Sequence, residues 1–180
     1  MQDPNGSEMM VGSGYSMTGK IAMQAYAQTK FNTFMKAGEM YLKQGEYDKA
    51  VNAYSLASVY QSGHVLAVAG KSHALLARRS YSSSALHLIR ALNVLPDYAK
   101  TDMGLPDLLG GIKVVKGHID RLETHTERKH VPELKLLLAF IYVQIGDLGL
   151  AQQTLEDVPP DASYEIARVS LLEASRSVVN

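Results

Sequence analysis

The chain has 180 residues, enough for one domain of ordinary size or a short repeat array. It carries 18 Lys and Arg against 18 Asp and Glu, so the formal charge is zero, which argues against a dedicated nucleic-acid binder. It has no cysteine, which excludes a disulfide scaffold, a cysteine-ligated metal site and a cysteine nucleophile.

The N-terminal segment, residues 1–16, has no hydrophobic period. Its first seven residues, MQDPNGS, end on the Gly-Ser typical of a cloning remnant, and the remainder is rich in Gly and Ser, which indicates a flexible tail. The sequence contains no apolar run as long as a membrane span and no signal-peptide pattern. We therefore expect a soluble protein without a membrane span. The cytoplasm is the favoured compartment, and a soluble part of an envelope-associated protein is the alternative.

Helical periodicity dominates the chain after this tail. The stretch Asn5–Leu95 contains no proline, which permits long helices. Apolar and small residues recur at intervals of three and four over Phe34–Leu42, stop at Gly45, and resume over Ala50–Ala57. This pattern predicts two antiparallel helices joined by a short turn. The preceding stretch, Thr18–Lys30, either caps this end of the protein or lengthens the first helix.

Similar residue types recur at a fixed interval along the chain. A shift of 34 residues superimposes aromatic and small residues of the first unit on a second: Tyr47 on Tyr81 and Ala57 on Ala91. A shift of 101 residues superimposes the first unit on the last: Tyr41 on Tyr142, Gly45 on Gly146, and Ala50 on Ala151. Since 101 is 34 plus 67, about two further periods separate the first and last units.

Residues 37–57, AGEMYLKQGEYDKAVNAYSLA, closely resemble the tetratricopeptide repeat (TPR) family, whose period is 34 residues. The matching positions are a small pair, a first-helix aromatic, the turn glycine and four second-helix residues: Ala37, Gly38, Tyr41, Gly45, Tyr47, Ala50, Tyr54 and Ala57. Gly38 and Ala50 are small enough for two helices to approach closely. Residues 138–160 repeat the pattern, whereas the second unit has Arg79 where the family usually has its turn glycine.

The resemblance implies an all-α fold, a right-handed α-α superhelix of helix hairpins, with units at residues 31–64, 65–98 and 132–163. Residues 99–131 depart from the pattern around Gly104 and Pro106 and predict a degenerate unit. Its first helix is shortened or lost, and its second runs over about Lys113–Arg128. Similar degenerate units occur in bacterial TPR proteins of unassigned function. A helix at residues 164–177 is expected to cap the stack.

The chain offers few patterns that indicate catalysis or metal binding. His118 and His125 share a helix face but lie about 10 Å apart along its axis, too far to bind one ion together. Neither a nucleophile motif nor a phosphate loop in its proper context is present. The pair Arg78-Arg79 fits the C-terminus of a helix better than a nucleic-acid surface. We expect no catalytic residue, no metal, no cofactor and no nucleic-acid partner.

In TPR folds, repeat positions two, five, nine and twelve point into a concave groove. Carried over to this chain, the resemblance implies a mostly apolar groove of twelve residues: Asn32, Met35, Glu39, Leu42, Leu66, Ala69, His73, Leu76, Glu133, Leu136, Phe140 and Val143. The family's chaperone-binding members clamp a terminal carboxylate with Lys and Asn at positions that here hold Met35 and Glu39. The sequence therefore does not support that clamp.

These residues favour a non-catalytic protein–protein interaction module or scaffold that binds a peptide or helix of an unknown protein partner in its groove. Two alternatives remain open. One is a secretion-type TPR chaperone that holds an unfolded substrate segment, and the other is a self-associating structural domain such as a homodimer. A third possibility, without a partner, is that the protein's own terminal helix fills the groove.

Overall fold

The computed structural model describes residues 17–128 and 130–176. Its regular elements are helices: α1 Met17–Lys43, α2 Tyr47–Tyr60, α3 Val65–Ala77, α4 Tyr81–Val94, a 3-10 helix Pro96–Lys100, α5 Leu105–Leu109, α6 Ile112–Arg128, α7 Pro132–Gln144, α8 Leu148–Glu156 and α9 Glu165–Arg176. No strand occurs within these two ranges, and successive helices pack in adjacent pairs, which confirms the all-α fold of helix hairpins. The predicted tail, residues 1–16, and residue 177 of the predicted cap lie outside the described residues.

The first helix is longer than its partner. α1 is continuous over 27 residues, so the stretch Thr18–Lys30 lengthens the first helix instead of forming a separate cap. Buried packing along α1 begins at Phe31, which lies in a small apolar cluster with Ala57 and Ala67. The part of α1 before Phe31 is largely exposed.

Three hairpin turns share one backbone geometry. Their central residues have positive φ angles, 77° at Gly45, 66° at Arg79 and 78° at Gly146. In each turn the amide of the residue after the central one donates a hydrogen bond of 2.8–2.9 Å to the carbonyl five residues earlier: Glu46 to Tyr41, Ser80 to Leu75, and Asp147 to Tyr142. This is the pattern of a Schellman motif. The turns are spaced by 34 and 67 residues, so the periodicity of the sequence is also a periodicity of the backbone.

The first three helices meet around one aromatic ring. Tyr54 of α2 is 5% exposed and packs against both Gly38 of α1 and Gly70 of α3. A Cβ added at Gly38 would lie 2.8 Å from the Tyr54 ring, and one added at Gly70 would lie closer still. The two glycines therefore leave the space that this ring occupies.

The predicted degenerate unit changes the stacking order. Its first helix is reduced to the five residues of α5, and its second is the 17-residue α6, as expected. Because α5 is too short to cover the flank of α4, α7 packs directly against α4 as well as against α6. α5 instead packs against α6 and reaches back to α1, while α9 packs against α7 and α8 in the position predicted for a cap.

Candidate functional site

The predicted groove residues fall into two groups in the structure. Six are buried in the core, each at most 3% exposed: Leu42, Ala69, His73, Leu76, Leu136 and Phe140. Three are half-buried, Met35, Glu133 and Val143, and three are exposed, Asn32, Glu39 and Leu66. Half of the predicted groove lining is therefore core, and the other half is partly or fully exposed.

For two of these residues, His73 and Phe140, the burial involves the segment that follows α4. Tyr98 of the 3-10 helix is 2% exposed, and its ring lies beside both of their rings. Its ring centroid is 6.3 Å from those of both His73 and Phe140, and these two rings are themselves 5.9 Å apart, all three being stacked. Residues predicted to face a groove from two different units thus pack onto one aromatic side chain of the chain itself.

What remains open is a cavity of about 300 Å³ between α1, α3 and the segment 98–108, which we call the cleft. It is lined by four predicted groove residues and six that the prediction missed: Met35, Glu39, Leu66 and His73, together with Lys36, Tyr54, Gly70, Tyr98, Met103 and Leu108. The missed residues Tyr98, Met103 and Leu108 carried a signal in the sequence. They are apolar residues in a segment without helical period, and such residues require a surface to cover.

The cleft is apolar with neutral polar groups at its base. His73 is 3% exposed, and its Nε2 makes no hydrogen bond with a described residue. Burial lowers the pKa of His73 to about 4, so the imidazole is neutral at pH 7. Burial, and then the charge of Glu39, raises the pKa of Tyr54 to about 12, so its hydroxyl is protonated. The base of the cleft is therefore uncharged at pH 7, and the cleft can accept an apolar group.

The remaining histidine pair has a packing role in the structure. Tyr81 packs edge-on against both His118 and His125, with ring centroids 5.9 and 6.0 Å apart. The Tyr81 hydroxyl also lies 3.0 Å from Nδ1 of His118. Within residues 17–128 and 130–176, no three His, Asp or Glu side chains are grouped so that they could hold a metal ion.

Of the helices in the described part of the chain, none is both long and apolar enough to cross a membrane. No protein-family model and no curated protein sequence matches this chain.

Proposed function

We propose that this chain is a TPR-type repeat protein that acts as a non-catalytic interaction module and binds a peptide or helix of a partner protein in the cleft. The assignment to the repeat type is supported by the three equivalent turns at Gly45, Arg79 and Gly146. It is also supported by the packing of Tyr54 against Gly38, which are two positions of the family pattern.

The observation that carries the proposal is the open apolar lining of the cleft. Leu66 is 45% exposed there, although it is a large apolar side chain, and the half-buried Met35, Met103 and Leu108 surround the same cavity. Flexible thioether side chains adapt to apolar groups of different shape. A volume of about 300 Å³ is at the lower end of ligand pockets, which suits one large apolar side chain better than a cofactor.

The energetics require contacts beyond this anchor. Full burial of one Leu or Phe side chain contributes about 1.5–3 kcal/mol, which does not by itself offset the entropy lost on association. Lys36 and Glu39, both exposed and both lining the cleft, can contact the polar flanks of the peptide.

A peptide selection tests this function. Peptides selected from a random library on the wild-type protein should share one large apolar residue and should bind with a dissociation constant measurable by fluorescence anisotropy. Leu66→Glu should weaken their binding at least about tenfold, because it places a carboxylate at the mouth of an apolar cavity. Leu86→Glu is the matched control, since Leu86 is 59% exposed on α4 and does not line the cleft.

Two results would contradict the proposal. One is a selection that yields no binding peptide. The other is a set of peptides whose affinity falls equally with Leu66→Glu and with Leu86→Glu.

A second candidate function, self-association, is favoured by the projecting part of α1. Before Phe31 this helix exposes four large apolar side chains: Met17, Ile21, Met23 and Tyr26. Exposed apolar side chains on one segment are typical of protein–protein contacts. Sedimentation velocity distinguishes the candidates, because self-association through α1 predicts a dimer that Ile21→Glu dissociates, and a monomer at high concentration would count against it.

A further inference from the structure

A second cavity, of about 520 Å³, lies between the end of α3 and the first half of α6. It shares no lining residue with the cleft. Four cationic side chains line it: Arg78 and Arg79 directly after α3, and Lys113 and Arg121 on α6. We call it the basic cavity.

One of the four cations of the basic cavity has an ion-pair partner, and three have none among the described residues. Arg78 forms an ion pair with Asp48, with Nη1 and Oδ1 2.7 Å apart. Arg79, Lys113 and Arg121 form no ion pair with any carboxylate of residues 17–128 and 130–176. The chain has equal numbers of acidic and basic residues, so this local excess is not a consequence of its overall charge. Like charges held together repel, and an anion between them would remove that cost.

Two cationic residues of α6 lie on one helix face with a glycine between them. Lys113, Gly117 and Arg121 are spaced by four residues and therefore share that face. The guanidinium group of Arg121 lies over Gly117, since its Nη1 donates a hydrogen bond of 2.5 Å to the Gly117 carbonyl oxygen. A Cβ at Gly117 would lie 3.2 Å from Nη1 of Arg121, so a larger residue there would crowd the guanidinium.

Arg79 reaches the basic cavity from a strained backbone position. It is the one described non-glycine residue with a positive φ, 66°, and the equivalent turns have Gly45 and Gly146. Glycine adopts this conformation without strain, whereas a side chain there is costly. The turn that departs from glycine is thus the turn whose side chain lines the cavity.

The wall of the basic cavity contains a buried polar pair. His118 is 3% exposed and lines the cavity. Its Nδ1 atom lies 3.0 Å from the hydroxyl oxygen of Tyr81. Burial first, and then the charges of Arg121 and Arg79, lower the pKa of His118 to about 4. The charges of both guanidinium groups therefore disfavour a proton on the same imidazole.

We propose that the basic cavity binds a phosphate monoester group, held by the guanidinium groups of Arg79 and Arg121 and by the ammonium group of Lys113. An arginine guanidinium group can donate two parallel hydrogen bonds to two oxygens of one phosphate, and a lysine ammonium group adds a compact positive charge. Three unpaired cations suit a dianion better than a carboxylate, which carries a single charge. The volume exceeds that of a phosphate group alone, so the cavity also has room for part of the molecule that carries it. The phosphate can belong to a modified side chain of a partner protein or to a small molecule.

Titration with inorganic phosphate at constant ionic strength is the first test. Binding is followed through the imidazole NMR resonances of His118, with sodium chloride as the reference salt. We expect a saturable shift of the His118 resonances with phosphate and none with chloride. Arg79→Gly and Arg121→Gln should each weaken phosphate binding about tenfold. Arg90→Gln is the matched control, since Arg90 is exposed on α4 and does not line the cavity.

Arg79→Gly separates binding from folding. The glycine relieves the backbone strain, so the variant should unfold at a higher temperature than the wild type while it loses phosphate affinity. The proposal is overturned if phosphate causes no saturable shift, if chloride causes the same shift, or if Arg90→Gln weakens binding as much as Arg79→Gly does.

Two phosphate esters then distinguish the sources of the group. A phosphoserine peptide that binds at least about tenfold more tightly than inorganic phosphate indicates a modified protein, and a nucleoside monophosphate that does so indicates a small molecule. Equal binding of both supports recognition of the phosphate group alone. Binding of single-stranded RNA without any binding of inorganic phosphate would instead indicate a surface for extended polyanions and would overturn the proposal.

Discussion

The contact of Tyr54 with two glycines is a stringent test of how the first three helices pack. Gly70→Ala places a methyl group on α3 that overlaps the Tyr54 ring, and Gly38→Ala places one 2.8 Å from it on α1. Carbon atoms in ordinary contact are about 3.5–4.0 Å apart, so the ring has to move by more than about 0.7 Å in either variant. Tyr54 is 5% exposed and has little free space into which to move.

The expected loss follows from two opposing effects. Overpacking of a core typically costs about 1–3 kcal/mol, and alanine recovers up to about 1 kcal/mol over glycine inside a helix. Gly70→Ala should therefore lower the free energy of unfolding by about 1–2 kcal/mol. Gly38→Ala should lower it by less, because its contact is less severe, whereas Gly38→Leu should cost a few kcal/mol. Gly149→Ala in α8 is the control, since an added Cβ there meets no atom within 4 Å, and it should gain about 0.5–1 kcal/mol.

Urea unfolding followed by circular dichroism measures these differences. A combined variant identifies their cause, because Tyr54→Leu leaves space beside Gly70 and should make Gly70→Ala less costly than it is alone. The packing described for Tyr54 would be refuted if Gly70→Ala were as stabilising as Gly149→Ala. It would also be refuted if the costs of Gly70→Ala and Tyr54→Leu were strictly additive.

Three further changes have defined outcomes. Burial lowers the pKa of His73 from 6.5 to about 4. As the pH falls, the His73 imidazole is therefore protonated in the unfolded chain before it is protonated in the folded protein. The stability that this group contributes above pH 6.5 is thus lost as the pH falls toward 4. At pH 5 the loss from this group is about 2 kcal/mol, and His73→Phe should remove that part of the pH dependence measured by urea unfolding. Arg79→Gly should raise the free energy of unfolding by about 1 kcal/mol, and an unchanged or lower value would contradict the strain assigned to its turn. Phe140→Ala should cost about 3–5 kcal/mol in thermal unfolding, because Phe140 is 1% exposed in the stack with Tyr98, and a small loss would mean that this stack is loosely packed.

The helix hairpins could be predicted from the sequence because their signals are local. The period of apolar residues defines a helix, and a glycine such as Gly45 or Gly146 defines its end through a backbone angle that other residues adopt at a cost. These signals also marked residues 99–131 as irregular and placed α6 correctly. Arg79 stands where the pattern has a turn glycine, yet its backbone still adopts the positive φ typical of glycine.

The candidate site could be predicted only in part. Met35, Glu39, Leu66 and His73, which the family resemblance assigned to a groove, line the cleft. The burial of Leu136 and Phe140 did not follow from it. The repeat pattern assigns a face to each helix, but it does not say whether another segment covers that face.

The sequence by itself determined the all-α class, the helix hairpins and the spacing of their turns, since each depends on residues only a few positions apart. The tertiary structure alone decided the path of residues 96–109 and the grouping of Arg79 with Lys113 and Arg121. A Pro- and Gly-containing segment without a helical period has no strong local preference, so its path depends on which apolar surfaces the neighbouring helices leave uncovered. The cationic groups meet because distant helices pack together, and no pattern of neighbouring residues encodes that contact.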